Sequence, residues 1–133
     1  GAPMPVPTAS ESASATPSPS ATPKRPLLHP ESGAAANKQF FDLINKEFFA
    51  AYGMADGASI INNLVANGFA KADMEVTYDT TALDIPVDSI VFSVRIKGEC
   101  LIGQLSAAGY AGIQAPLLGT GRCLVGTTRP IDW

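Results

Sequence analysis

Few side chains in this chain are of types that carry out covalent or acid–base chemistry. There are two cysteines, Cys100 and Cys123, and one histidine, His29. A thiol nucleophile needs a base beside it to take its proton, and the only histidine lies far upstream in a Pro-rich stretch. Zinc takes four ligands, more than two cysteines without a neighbouring histidine supply. The CxxC spacing of a redox dithiol is absent. Cys100 and Cys123 are therefore expected to form a structural disulfide. Closing a loop of that size stabilises a fold by about 3 kcal/mol on the chain-entropy view. The alternative is a pair of buried free thiols, which thiol counting on the unfolded, unreduced protein distinguishes. A disulfide would place the domain in an oxidising compartment.

The remaining polar residues offer no reaction centre. Without a histidine in the domain, neither a Ser-His-Asp nor a Cys-His arrangement can be assembled, and no carboxylate pair stands out. Asp79, Asp84 and Asp88, with Pro86 among them, are spaced too widely for a calcium loop and read as acids of turns at strand ends. Gly119-Thr120-Gly121-Arg122 has the look of a phosphate-cradling loop. It precedes a predicted strand, however, and lacks the helix N-terminus that holds an anion in such loops, so it reads as a turn. No catalytic residue, cofactor or metal is expected. What remains is a candidate contact surface of Tyr110, Arg122, Arg129 and Trp133, because Arg and aromatic residues are enriched in binding hot spots. The competing reading is local: Trp133 packs on its own domain and Arg129 pairs with Asp132.

These residues must be positioned by helices in the first half of the domain and strands in the second. Phe40, Phe41, Ile44, Phe48 and Tyr52 recur at helical spacing, with Leu43 widening the stripe, and read as core. Asn37 is the expected cap and Gly53 the expected stop. After a turn at Met54-Ala55-Asp56-Gly57, Ile60, Ile61, Leu64 and Val65 form the apolar face of a second helix that ends at Asn67-Gly68-Phe69. Met74, Val76 and Tyr78 alternate with Glu75, Thr77 and Asp79, and Ile90, Phe92, Val94 and Ile96 with Val91, Ser93, Arg95 and Lys97, which predicts two strands. Lys97-Gly98 predicts a hairpin turn into a strand over 99–105. The last strand is expected over 122–128, and the Gly/Ala-rich segment 106–121 is expected to be a long loop. The fold class is α+β: two N-terminal helices packed on a four-stranded, mainly antiparallel sheet with one disulfide.

Composition changes near residue 30. Of the first 30 residues, 21 are Pro, Ser, Thr or Ala, and 8 of the 11 prolines fall there. Such a segment buries too little apolar surface to offset its ordering entropy, so 1–30 reads as a tether and 31–133 as one domain. A Pro/Ser/Thr-rich tether holds a domain off a surface or carries O-linked sugars; a tail of no specific role is the plain alternative. Residues 31–133 hold 7 Lys/Arg and 11 Asp/Glu, a formal charge of −4. Nucleic acid is therefore not an expected partner, since that task needs a basic surface. The chain begins at Gly1, as expected of a mature protein from which a targeting segment has been removed.

The runs Asp88–Arg95, Gly98-Glu99-Cys100-Leu101-Ile102-Gly103-Gln104 and Gly121-Arg122-Cys123-Leu124-Val125-Gly126-Thr127-Thr128-Arg129-Pro130-Ile131-Asp132-Trp133 resemble a family of actinobacterial secreted proteins with a domain of unknown function. The resemblance extends over roughly residues 37–133. It implies a lipoprotein signal and a lipidated cysteine at or before Gly1, and it brings no catalytic residue with it. The expectation is a lipid-anchored or secreted extracytoplasmic module that binds a protein or envelope polymer or plays a structural part there. The alternatives are an inhibitor or immunity-type protein that blocks one partner through the Gly-rich segment, and a carboxylate-dependent hydrolase.

Overall fold

A computed structural model describes residues 25–79 and 87–133. Helix α1 spans Ala34–Tyr52 and α2 spans Gly57–Ala66. A 3-10 turn at Lys71–Asp73 leads into four strands: β1 Met74–Val76, β2 Ser89–Ile96, β3 Glu99–Ser106 and β4 Gly109–Pro116. They form one antiparallel sheet in the order β1-β2-β3-β4. The expected fold class is the observed one. No described helix is long and apolar enough to cross a membrane.

One face of the sheet is the core. Val76, Ile90, Phe92, Val94, Leu101 and Leu105 are buried against Phe40, Phe41 and Ile44 of α1 and Ile60, Ile61 and Leu64 of α2. Phe41 is fully buried, with its ring edge-on to Phe69 at 5.9 Å and tilted on Phe92 at 5.9 Å. Truncating such a ring to Ala costs about 3–5 kcal/mol. The aromatic stripe of α1 does not stay buried to its end: Phe48 is half-buried and Tyr52 is 72% exposed. Val65, expected on the apolar face of α2, is exposed as well.

Helix ends show where local signals suffice and where they do not. Gly53 ends α1 at φ +67°, and Gly68 at φ +101° closes α2, with the Phe69 N–H donating back to the Leu64 carbonyl; both follow the glycine-stop pattern. Asp56 caps α2 by accepting from the Ser59 N–H at 2.8 Å, and Asp79 adds a second acceptor for the Gly57 N–H at 2.7 Å. The start of α1 differs from expectation. It begins at Ala34, ahead of Asn37, and its N-cap Gly33 has no side chain to cap with. Glu99, at the start of β3 and distant in sequence, accepts from the Ala34 N–H at 3.1 Å. Buried Asn37 uses its side-chain amide to donate to the carbonyls of His29 and Gly33, each at 2.9 Å. Three alanines, the best helix formers, continue the helix to that tertiary cap.

Two expectations for the second half are corrected. The Gly/Ala-rich segment 106–121 is not a long loop: an Ala107-Ala108 turn leads into β4, which pairs with β3 from Ser106↔Gly109 to Glu99↔Pro116. Residues 122–128 form no strand. Strand propensity failed here because close packing overrides it. Gly103 pairs with Gly112, and a Cβ at Gly103 would strike the Phe92 ring, while one at Gly112 would strike Asp42 and the Tyr110 hydroxyl. The sheet needs residues without side chains where α1 lies on it. Glycines at positive φ, Gly121 and Gly126, bracket the short apolar run 123–125 and turn it off any extended path. The Lys97-Gly98 hairpin forms as expected, with both residues at positive φ.

Packing also extends ahead of residue 31. Arg25 clasps Glu47 through two 2.6 Å bonds, Leu28 packs on the core, and the His29 N–H donates to Asn37. The rest of the expected tether, residues 1–24, lies outside the described residues, as do Asp84 and Pro86.

Candidate functional site

The other face of the sheet carries the cysteines. Cys100 alternates with core residues Leu101 and Leu105 along β3, which places it opposite the helices. Cys100 and Cys123 are bonded, with Cα atoms 5.7 Å apart. Their partnership was expected between strands. Cys123 instead lies in an irregular segment folded over the sheet, so the two Cys-Leu-aliphatic-Gly runs take different conformations. Glu75 of β1 holds that segment in place: its carboxylate accepts from the Cys123 N–H at 2.8 Å and the Leu124 N–H at 3.2 Å, and meets Arg122 at 3.3 Å. Leu124 is thereby buried. Beside Glu75 in the β1–β2 register, the fully buried Ser93 hydroxyl finds no hydrogen-bond partner among the described residues.

The four candidate contact residues do not gather into one patch. Arg122 reaches Glu75 and donates to the Thr128 hydroxyl at 3.0 Å. Arg129 pairs with Asp79 at 2.9 Å, not with Asp132, and its guanidinium lies 4.7 Å from the Trp133 ring centre. The Trp133 indole N–H donates to Asn62 of α2 at 3.0 Å, and its carbonyl accepts from Lys71. These three residues fasten the C-terminal segment along β1, whose Val76 carbonyl accepts from the Arg129 N–H at 2.7 Å. Tyr110 lies at the opposite sheet edge on the helix face, where its hydroxyl donates to Asp42 at 2.6 Å. Burial, followed by that bond, pushes the Tyr110 phenol well above its ordinary value. Asp42 in turn meets Lys38 at 2.6 Å.

Two of the open surfaces lie on the sheet and between the helices. On the uncovered part of the sheet, Val91, Ile102, Gln104, Ala111 and Ile113 line a shallow cleft of about 100 Å³, and Ile113 is 57% exposed. It continues to the outer edge of β4, to which no described segment bonds. Between the helices, Phe48, Tyr52, Ala55, Ser59, Asn62 and Asn63 line a groove of about 420 Å³. The sequence held signals for both. Tyr110, Gly112 and Gln114 alternate with Ala111, Ile113 and Ala115. Ser59, Asn62 and Asn63 share helical spacing opposite Ile60, Ile61 and Leu64. Neither pattern looks functional until the tertiary structure shows what stays uncovered. Glu75 had no such signal, since its partners lie 48 and 49 residues away.

Among the described residues no three His, Cys, Asp or Glu side chains come together as a metal site. The arrangement defines a small α+β domain with a disulfide-clamped C-terminal segment and open surfaces on a helix pair and a sheet edge. The chain belongs to the family described as Domain of unknown function (DUF6993), whose model matches residues 45–127. The matched span contains both cysteines and ends before Arg129 and Trp133. No curated protein and no solved structure matches the chain.

Proposed function

We propose that this chain is an extracytoplasmic binding module, lipid-anchored upstream of Gly1, in which the segment before the domain is a spacer and β4 receives an extended strand of an envelope protein. The disulfide supports the compartment, since such bonds persist where the surroundings are oxidising. The Pro/Ser/Thr-rich composition of the first thirty residues supports the spacer.

β4 is the observation that carries the binding reading. An edge strand exposes unpaired N–H and C=O groups, and soluble proteins blunt such edges with charge, proline, bulges or covering segments. The β1 edge is handled in this way, by the backbone of Arg129. β4 runs for 8 residues without a charged side chain, and its only proline is the terminal Pro116. Strand addition takes affinity from the backbone ladder and specificity from alternate side-chain pockets. The cleft at Val91, Ile102 and Ile113 lies beside that edge and would take one such side chain.

Photo-crosslinking from Ala111, which lines the same cleft, in intact cells, with metabolic fatty-acid labelling of the full precursor, tests both halves. A single crosslinked envelope protein, lost in Ile113→Lys while the melting temperature is unchanged, is the expected result. A lysine is the residue nature places on silent edges, so its tolerance by the partner would overturn the strand reading. A precursor that takes up no lipid and remains in the cytoplasm would overturn the anchoring.

A further inference from the structure

We infer that the groove between α1 and α2 is a binding site for a neutral saccharide chain, separate from the β4 surface. Its first wall is aromatic. Phe48 and Tyr52 stand one helical turn apart near the end of α1, with ring centres 5.0 Å apart and planes tilted by 51°. Tyr52 is 72% exposed and gives the core almost nothing, so packing does not account for it. The second wall is α2, which presents Ser59, Asn62 and Asn63 on the side opposite its buried Ile60, Ile61 and Leu64.

The groove is organised beyond the accident of two adjacent helices. The Trp133 indole N–H occupies the Asn62 side-chain oxygen at 3.0 Å, which fixes the amide and reserves its NH2 as a donor. Trp133 is itself held against Arg129. Asn63 is tied by its own NH2 to the Ile44 carbonyl at 3.4 Å. The donors and acceptors of the second wall are thus carried on rigid elements.

The chemistry of the walls selects the ligand. No lining residue is charged, so an anionic or cationic group entering the groove would lose hydration and meet no counter-charge. An apolar helix laid there would offer no acceptor to the Asn62 NH2, which the Trp133 bond leaves facing the groove as a donor. A sugar ring has an apolar C–H face for Tyr52 and Phe48 and a rim of hydroxyls for the amides and Ser59. Amphipathic aromatic rings suit such two-sided ligands. The volume falls within the roughly 300–1,000 Å³ range of small-ligand sites.

The test titrates the full 133-residue chain with neutral hexamers of glucose and of N-acetylglucosamine, and with a uronic-acid hexamer as the charged comparison. Trp133, the only tryptophan, reports through its fluorescence, and the Asn62 and Asn63 side-chain amides report by NMR. A saturable response to at least one neutral hexamer is expected at micromolar to millimolar concentration. Tyr52→Ala should weaken it by about tenfold, the upper end of what an aromatic contact contributes. Tyr52→Phe should retain the ring contact, and Ile113→Lys should leave binding unchanged. Silence towards both neutral hexamers from a folded protein would overturn the inference. So would preference for the uronic-acid hexamer, or equal responses from the wild type and Tyr52→Ala.

Discussion

Ser93 is the least comfortable of the described residues. Its hydroxyl is fully buried and finds no partner among the described residues. Burying a hydroxyl in this way costs free energy that a methyl group would not. Ser93→Ala should therefore stabilise the protein by about 1 kcal/mol. For a domain of this size that raises the melting temperature by roughly 5 °C, measurable by thermal denaturation; a fall of similar size would show that the hydroxyl has a partner. Glu75 is the contrasting case, one carboxylate serving two backbone N–H groups and an arginine. The sequence shows Ser93 and Glu75 alike as polar residues in alternating strands. Only the folded C-terminal segment separates a burdened residue from an employed one.

At the scale of elements, Tyr110 joins β4 to α1. Its ring contacts Phe41 and Phe92, and its hydroxyl bonds Asp42. Burial and the neighbouring carboxylate both favour the neutral phenol, so its folded value lies above the unfolded value of about 10. The resulting stability is fully present below pH ~10 and is lost as pH rises and the unfolded chain ionises. Denaturant melts from pH 8 to 11 should show that decline in the wild type and a flatter profile in Tyr110→Phe. An equally steep decline in both would refute the assignment. This strand was invisible to pattern reading because Gly109, Gly112 and the alanines have low strand propensity. The need for α1 to approach the sheet selects those same residues.

For the molecule as a whole, the disulfide decides whether the second sheet face is covered. It links β3 to a segment with no regular structure of its own. Replacing both cysteines by alanine should cost about 3 kcal/mol, or roughly 10–20 °C in melting temperature. Hydrogen exchange should quicken first at positions 123 and 124, whose N–H groups would then be held by Glu75 without the covalent clamp. Uniform loss of protection across the sheet would show that the clamp serves the entire fold and not its C-terminal segment.

The sequence by itself determined the α+β class, the helix pair, the glycine stops, the Lys97-Gly98 hairpin and the pairing of its only two cysteines. Each follows from local periodicity, backbone preference or elimination, and none needs a partner distant in the chain. The tertiary structure decided the rest: the cap of α1 by Glu99, the strand at Gly109–Pro116, and the fastening of the C-terminus by Glu75, Asp79 and Asn62. It also decided which patterned residues stay exposed. Tyr52 belongs to the same aromatic stripe as Phe41, yet one is open to solvent and the other is sealed. Burial depends on how far the sheet extends beneath the helix, and helical spacing carries no record of that.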